Sequence, residues 1–74
     1  MKNQHLVELG KQIRFIRKRQ GLSQEQLAYN AGIDRSYCGA IERGERNVSV
    51  LTLVKIAFAL DCKIADFSNS IPHE

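Results

Sequence analysis

Residues 23–44 read SQEQLAYNAGIDRSYCGAIERG and spell two short helices joined by a tight turn. Ser23, followed three residues later by Gln26, is a capping box. The hydroxyl accepts from the amide of the third helical residue while the glutamine reaches back to the cap amide. Leu27, Ala28 and Ala31 fall at i, i+1 and i+4, a single narrow apolar stripe, and Gly32 supplies the positive φ of a left-handed cap. Asp34 is a favoured N-cap and opens a second helix, closed by Gly44, whose apolar Cys38 and Ile41, with Ile33 just before the cap, recur at helical spacing. The other side of this helix carries Arg35, Ser36, Gly39, Ala40 and Arg43: two cationic forks, a hydroxyl and two small residues. Such a face enters a groove without a steric block, and two helices joined by a short glycine-containing turn form the unit whose second helix lies in the DNA major groove.

Working outward, Leu6, Leu9, Ile13 and Ile16 repeat at helical spacing and predict a first helix over residues 6–20, with cations gathered in its last turns, where the helix dipole favours them. Residues 1–5 carry no cap signal and are expected to fray. Gly10 interrupts the helix at a cost of about 1 kcal/mol relative to alanine, for which close packing is the only reason the residues suggest. Downstream, Ser49 caps a helix over residues 50–60. Leu53, Ile56, Ala57 and Leu60 form its inward stripe, and Leu51, Val54 and Phe58 a second stripe on a neighbouring face. One stripe suffices for a monomer core, so the second is expected to be covered by another copy of the chain; a core helix with surplus apolar residues is the alternative. Ile64, Ala65 and Phe67 suggest a fifth, short helix, and 68–74, SNSIPHE, a flexible tail. The expected fold is an all-α, five-helix bundle occupying residues 6–67.

The 74 residues allow one domain of marginal stability, which a second subunit would support. The net charge of +3 is unevenly spread: residues 1–20 hold six cations against Glu8 alone, so the positive field gathers on the first helix. That favours a polyanion nearby, although a solvated helix face would read the same way. Cys38 and Cys62 fall in helical segments with no signal peptide ahead of them, which fits free thiols in a reducing cytoplasm. No run of residues approaches a membrane span. There is no nucleophile–base constellation, no phosphate-cradling glycine loop and no metal-ligand spacing, so no enzyme, cofactor, metal or small-molecule ligand is expected.

Arg35 is the first candidate for base reading, since a planar fork suits guanine O6 and N7, with about 1–3 kcal/mol of discrimination for a good bidentate pair. Ser36 can donate to a base or a phosphate, while Gly39 and Ala40 suit close approach or thymine methyls. Arg43, Arg46 and Asn47, in and after the last turn of the reading helix, are placed for phosphate contacts; a solvated loop is the alternative. A glutamate directly after the core residue Ile41 needs a cationic partner.

The runs LSQEQLA and AGIDRSYCGAIERGERN resemble the phage-repressor and Cro-like helix-turn-helix family, through Gln24, Ala28, Gly32, Ile41, Glu42 and Gly44 at their mutual spacing. Within that family, DRSY with IERGERNVSV is most similar to the controller proteins of bacterial restriction–modification systems, over roughly residues 6–67. The resemblance implies a partly buried Arg17–Glu42 pair that sets the pose of the reading helix. It also implies a Gln24 that contacts DNA backbone and braces that helix, and a Tyr37 that lies against the backbone or a thymine methyl. For Gln24 an ordinary first-turn residue, and for Tyr37 a core residue, stay open. Relatives often end the fourth helix with glycine where this chain has Asp61, so a strained or altered turn is expected there. The implied function is a cytoplasmic, nucleoid-associated transcriptional regulator that binds a pseudo-palindromic double-stranded operator as a homodimer. An antitoxin-like or adaptor module of the same fold, or another phage or plasmid repressor, is the competing reading.

Overall fold

The computed structural model describes residues 3–67, and the expected tail at 68–74 lies outside the described residues. Helix α1 is Gln4–Arg19, α2 Gln24–Ala31, α3 Arg35–Glu42 and α4 Val50–Ala59, followed by a single 3-10 turn at Ile64–Asp66. The expected fifth helix is thereby corrected: four α-helices and one turn of 3-10 are present among the described residues. In a 3-10 turn the side chains at i and i+3 eclipse. Ile64 and Phe67 have that spacing, and Phe67 is fully buried in the core. One turn is enough to seat it.

Each start is set by a side chain that accepts from amides the helix leaves open. Ser23 and Gln26 form the reciprocal capping box of α2, with Ser23 N–H donating to Gln26 Oε1 at 2.8 Å and Gln26 N–H to Ser23 Oγ at 3.0 Å. Asp34 Oδ2 accepts from Ser36 N–H at 2.9 Å, and Ser49 Oγ from Thr52 N–H at 3.1 Å. Helix α1 begins earlier than expected because Asn3 caps it, accepting from the amides of His5 and Leu6 at 2.8 and 3.3 Å. Residues 4 and 5 are therefore helical rather than frayed. Gly32 closes α2 at φ +69°. Asp61, the residue after the α4 C-cap, adopts φ +51°. The left-handed turn is kept with an aspartate in it, at a cost of about 1 kcal/mol relative to glycine.

The core joins Leu9 and Ile13 of α1, Leu27, Ala28 and Ala31 of α2, Cys38 and Ile41 of α3, Ile56, Ala57 and Leu60 around α4, and Phe67. Helix α3 packs against both α1 and α2, and α2 also packs against α4. At Gly10 helix α1 runs close against the end of α3. A Cβ there would collide with the carbonyl oxygen of Ile41 and lie 2.5 Å from that of Glu42. The α1 terminus is tied to the end of α4 by Gln20, whose amide donates to the Leu60 carbonyl. On α4 the inward stripe is covered, whereas Val50, Leu51, Val54 and Phe58 are exposed, Phe58 at 85%. No helix among the described residues is long and apolar enough to cross a membrane.

Candidate nucleic-acid interface

Arg35 and Ser36 occupy the first turn of α3, directly after the Asp34 cap, and both are exposed. The cap uses the Asp34 carboxylate on the Ser36 amide. Arg35 enters no hydrogen bond or ion pair among the described residues, so its five donors are free. The expectation that Gly39 and Ala40 also face outward is corrected, because both are buried. An eight-residue helix wedged between α1 and α2 keeps only a narrow wet face. The space above Gly39 is taken by side chains: a Cβ there would sit 3.1 Å from Arg43 Nη1 and 3.3 Å from Gln24 Oε1.

Behind this face lies a polar bracket. Arg17 Nε donates to Glu42 Oε2 at 2.6 Å and Nη2 to Glu42 Oε1 at 3.0 Å, while Nη1 donates to the Leu22 carbonyl at 2.7 Å. The two residues are only 7% and 6% exposed. Glu42's hydrogen bonds raise the Arg17 pKa, against the lowering effect of burial. Gln24 Nε2 completes the set by donating to Glu42 Oε1 at 3.0 Å. One carboxylate thus ties the end of α3 to α1 and to the start of α2. Leu22 is a partner that sequence reasoning missed, since a backbone carbonyl in a turn carries no residue-type signature.

Tyr37 sits as its core reading expects. Its ring is half-buried against the core, and its hydroxyl donates to the Asn47 carbonyl at 3.2 Å. The Arg46 guanidinium lies over that ring, 5.3 Å from its centroid. Arg43, Arg46 and Asn47 are all exposed. Arg43 Nε donates to Glu45 Oε1 at 3.0 Å, a pairing that the alternating charges of Arg43, Glu45 and Arg46 could have suggested. On α1, Lys11, Arg14, Lys18 and Arg19 are exposed; Arg19 lies over the Phe15 ring at 5.6 Å.

Cys38 is buried in the core, and its thiol is pushed up to about 11, first by burial and then by the nearby Glu42 charge. A thiol of that pKa has almost no thiolate at neutral pH and packs as a small apolar group. The half-buried Cys62 thiol is also raised, chiefly by burial and then by Asp66 and Asp61. No group of three or more His, Cys, Asp or Glu is arranged to hold a metal among the described residues.

The chain matches the helix-turn-helix family over residues 13–67. It is 45% identical over 56 residues to the control protein C.SmaI of Serratia marcescens, covering 76% of this chain and 67% of that protein. The crystal structure of the restriction–modification controller protein C.AhdI from Aeromonas hydrophila superimposes with a TM-score of 0.83 at 48% identity, covering 84% of this chain and 94% of that one. The controller protein C.Esp1396I, solved as a tetramer in complex with its natural 35 base-pair operator, gives a TM-score of 0.83 at 32% identity, covering 95% of this chain and 93% of that one. With its fold, its caps and its Arg17–Glu42–Gln24 bracket in place, the chain belongs to the helix-turn-helix family, among the controller proteins of restriction–modification systems.

Proposed function

We propose that this chain is a sequence-specific transcriptional regulator that binds a pseudo-palindromic operator as a homodimer and controls its own promoter and that of a restriction endonuclease gene. The observation that carries the reading is the first turn of α3, where Arg35 and Ser36 are exposed while Cys38 and Ile41 of the same helix are buried. In this reading Arg35 takes a guanine edge in the major groove and Ser36 a base or phosphate. Gln24, Tyr37, Arg43, Arg46 and Asn47 position the duplex through its backbone, which carries no sequence information directly. Two copies would set their reading helices about 34–36 Å apart, one turn of DNA. The work is done on DNA in the cytoplasm, at the nucleoid.

Binding to a library of duplexes, wild type beside Arg35→Ala, tests the base-reading role. The variant is expected to lose about 1–3 kcal/mol of preference at one base pair of each half-site. An unchanged base preference would remove Arg35 from base reading, and a wild type that binds no duplex at low salt would remove the regulator reading.

The exposed stripe of Leu51, Val54 and Phe58 on α4 is the surface on which two copies would pair. Phe58→Glu places a charge on that stripe without touching the core. It is expected to sediment as a monomer and to bind operator at least about tenfold more weakly, because each half-site must then be occupied independently. A dimer that survives the substitution would put the interface elsewhere.

A further inference from the structure

The geometry points to Glu45 as an intramolecular competitor of the DNA backbone: it pairs with the Arg43 guanidinium over the reading helix, so that a phosphate competes with a carboxylate for the charge of Arg43. This rests on the DNA-binding reading and adds to it a residue that sets affinity and salt dependence.

Three observations carry it. Arg43 is the C-cap of α3, and its Nε donates to Glu45 Oε1 at 3.0 Å. Its guanidinium folds back along its own helix, for a Cβ on Gly39 would lie 3.1 Å from Arg43 Nη1. The absence of a side chain at residue 39 makes that pose available. Finally, the main chain that carries Glu45 is fixed: Glu45 N–H donates to the Ala40 carbonyl at 2.9 Å, and Gly44 N–H to that of Ile41 at 3.0 Å. The loop therefore keeps the Glu45 Cα within reach of Arg43 unless the end of α3 is undone. Arg46, one residue further on, rests on the neutral ring of Tyr37, which leaves its full charge for a phosphate.

The pair is open to water, with the Arg43 and Glu45 side chains 55% and 41% exposed. It is therefore a contact that phosphate can break. Bound to Glu45, Arg43 meets DNA as part of a neutral couple and adds little to counterion release.

The test is Glu45→Gln, which keeps the size of the side chain and the backbone hydrogen bonds of the turn. Duplex affinity is measured by titration at several salt concentrations, with a thermal melt to confirm the fold. Glu45→Gln is expected to bind about threefold to fivefold more tightly, the worth of an exposed ion pair, on operator and unrelated duplex alike. The slope of log K against log salt should steepen by about 0.9, one phosphate contact. In an Arg43→Gln background the same change should yield no gain. An unchanged affinity for Glu45→Gln, or an equal gain without Arg43, would overturn the inference while leaving the regulator reading intact. A wild type that binds no duplex would overturn both.

Discussion

Replacing Glu42 with alanine is expected to lower the free energy of unfolding by about 3–5 kcal/mol, the cost of leaving one member of a buried ion pair without its partner. The Arg17 guanidinium would keep only the Leu22 carbonyl among its three bonds, and Gln24 would lose its acceptor. A chain of this length has about 4–11 kcal/mol of stability to lose. The thermal midpoint should therefore fall by roughly 15–30 °C, as read by circular dichroism. The double variant Arg17→Met with Glu42→Leu should recover much of the loss, since it removes both charges and leaves neither stranded. Glu42→Ala costing less than about 1 kcal/mol would mean that water reaches the pair freely, as at exposed ion pairs. The functional consequence is one of pose. With Glu42 gone, α3 loses its tie to α1 and α2, so Arg35 and Ser36 are no longer presented at a fixed angle even in molecules that remain folded.

Gly10→Ala is expected to destabilise by about 1–3 kcal/mol even though alanine is the better helix former. The helix-propensity gain is at most about 1 kcal/mol. Against it stands a Cβ driven into the end of α3, in collision with the Ile41 carbonyl oxygen and 2.8 Å from the Glu42 carbonyl carbon. Both obstacles are backbone, which cannot rotate aside as a side chain does. Helix α3 would have to move away from α1 as a body, stretching the Arg17–Glu42 bonds that cross the same interface. Urea denaturation measures the outcome, and a variant as stable as wild type would show that the two helices have slack between them. Because the clash and the ion pair share one interface, Gly10→Ala and Glu42→Ala should cost less together than the sum of their separate effects.

Legibility in the sequence followed the range of the interaction. The starts of α2, α3 and α4 were readable because a cap is a contact across two or three residues, and Ser23, Asp34 and Ser49 use it as their positions imply. Asn3 obeys the same rule, although the apolar repeat that predicts the helix starts only at Leu6. The inward stripe of α4 was likewise plain, since its period is the helix's own. The Arg17–Glu42 partnership came from family resemblance alone, because 25 residues separate its members and no local pattern joins them.

By itself, then, the sequence determined where helices begin and turn, which stripe of each is apolar, and that the turn of residues 23–44 presents Arg35 and Ser36 after a cap. Tertiary structure decided how much of α3 stays wet. Gly39 and Ala40 share its polar-looking side, yet they are buried by neighbours whose positions depend on the packing of three helices. It also decided that Gly10 lies hard against the end of α3, that one carboxylate serves both Arg17 and Gln24, and that Arg43 lies folded over Gly39 beside Glu45. The physical reason is common to all of these. Helical periodicity and capping are encoded within a turn or two of chain, whereas the facing of one helix on another is set by a sum of contacts among residues far apart in sequence, which no single stretch contains.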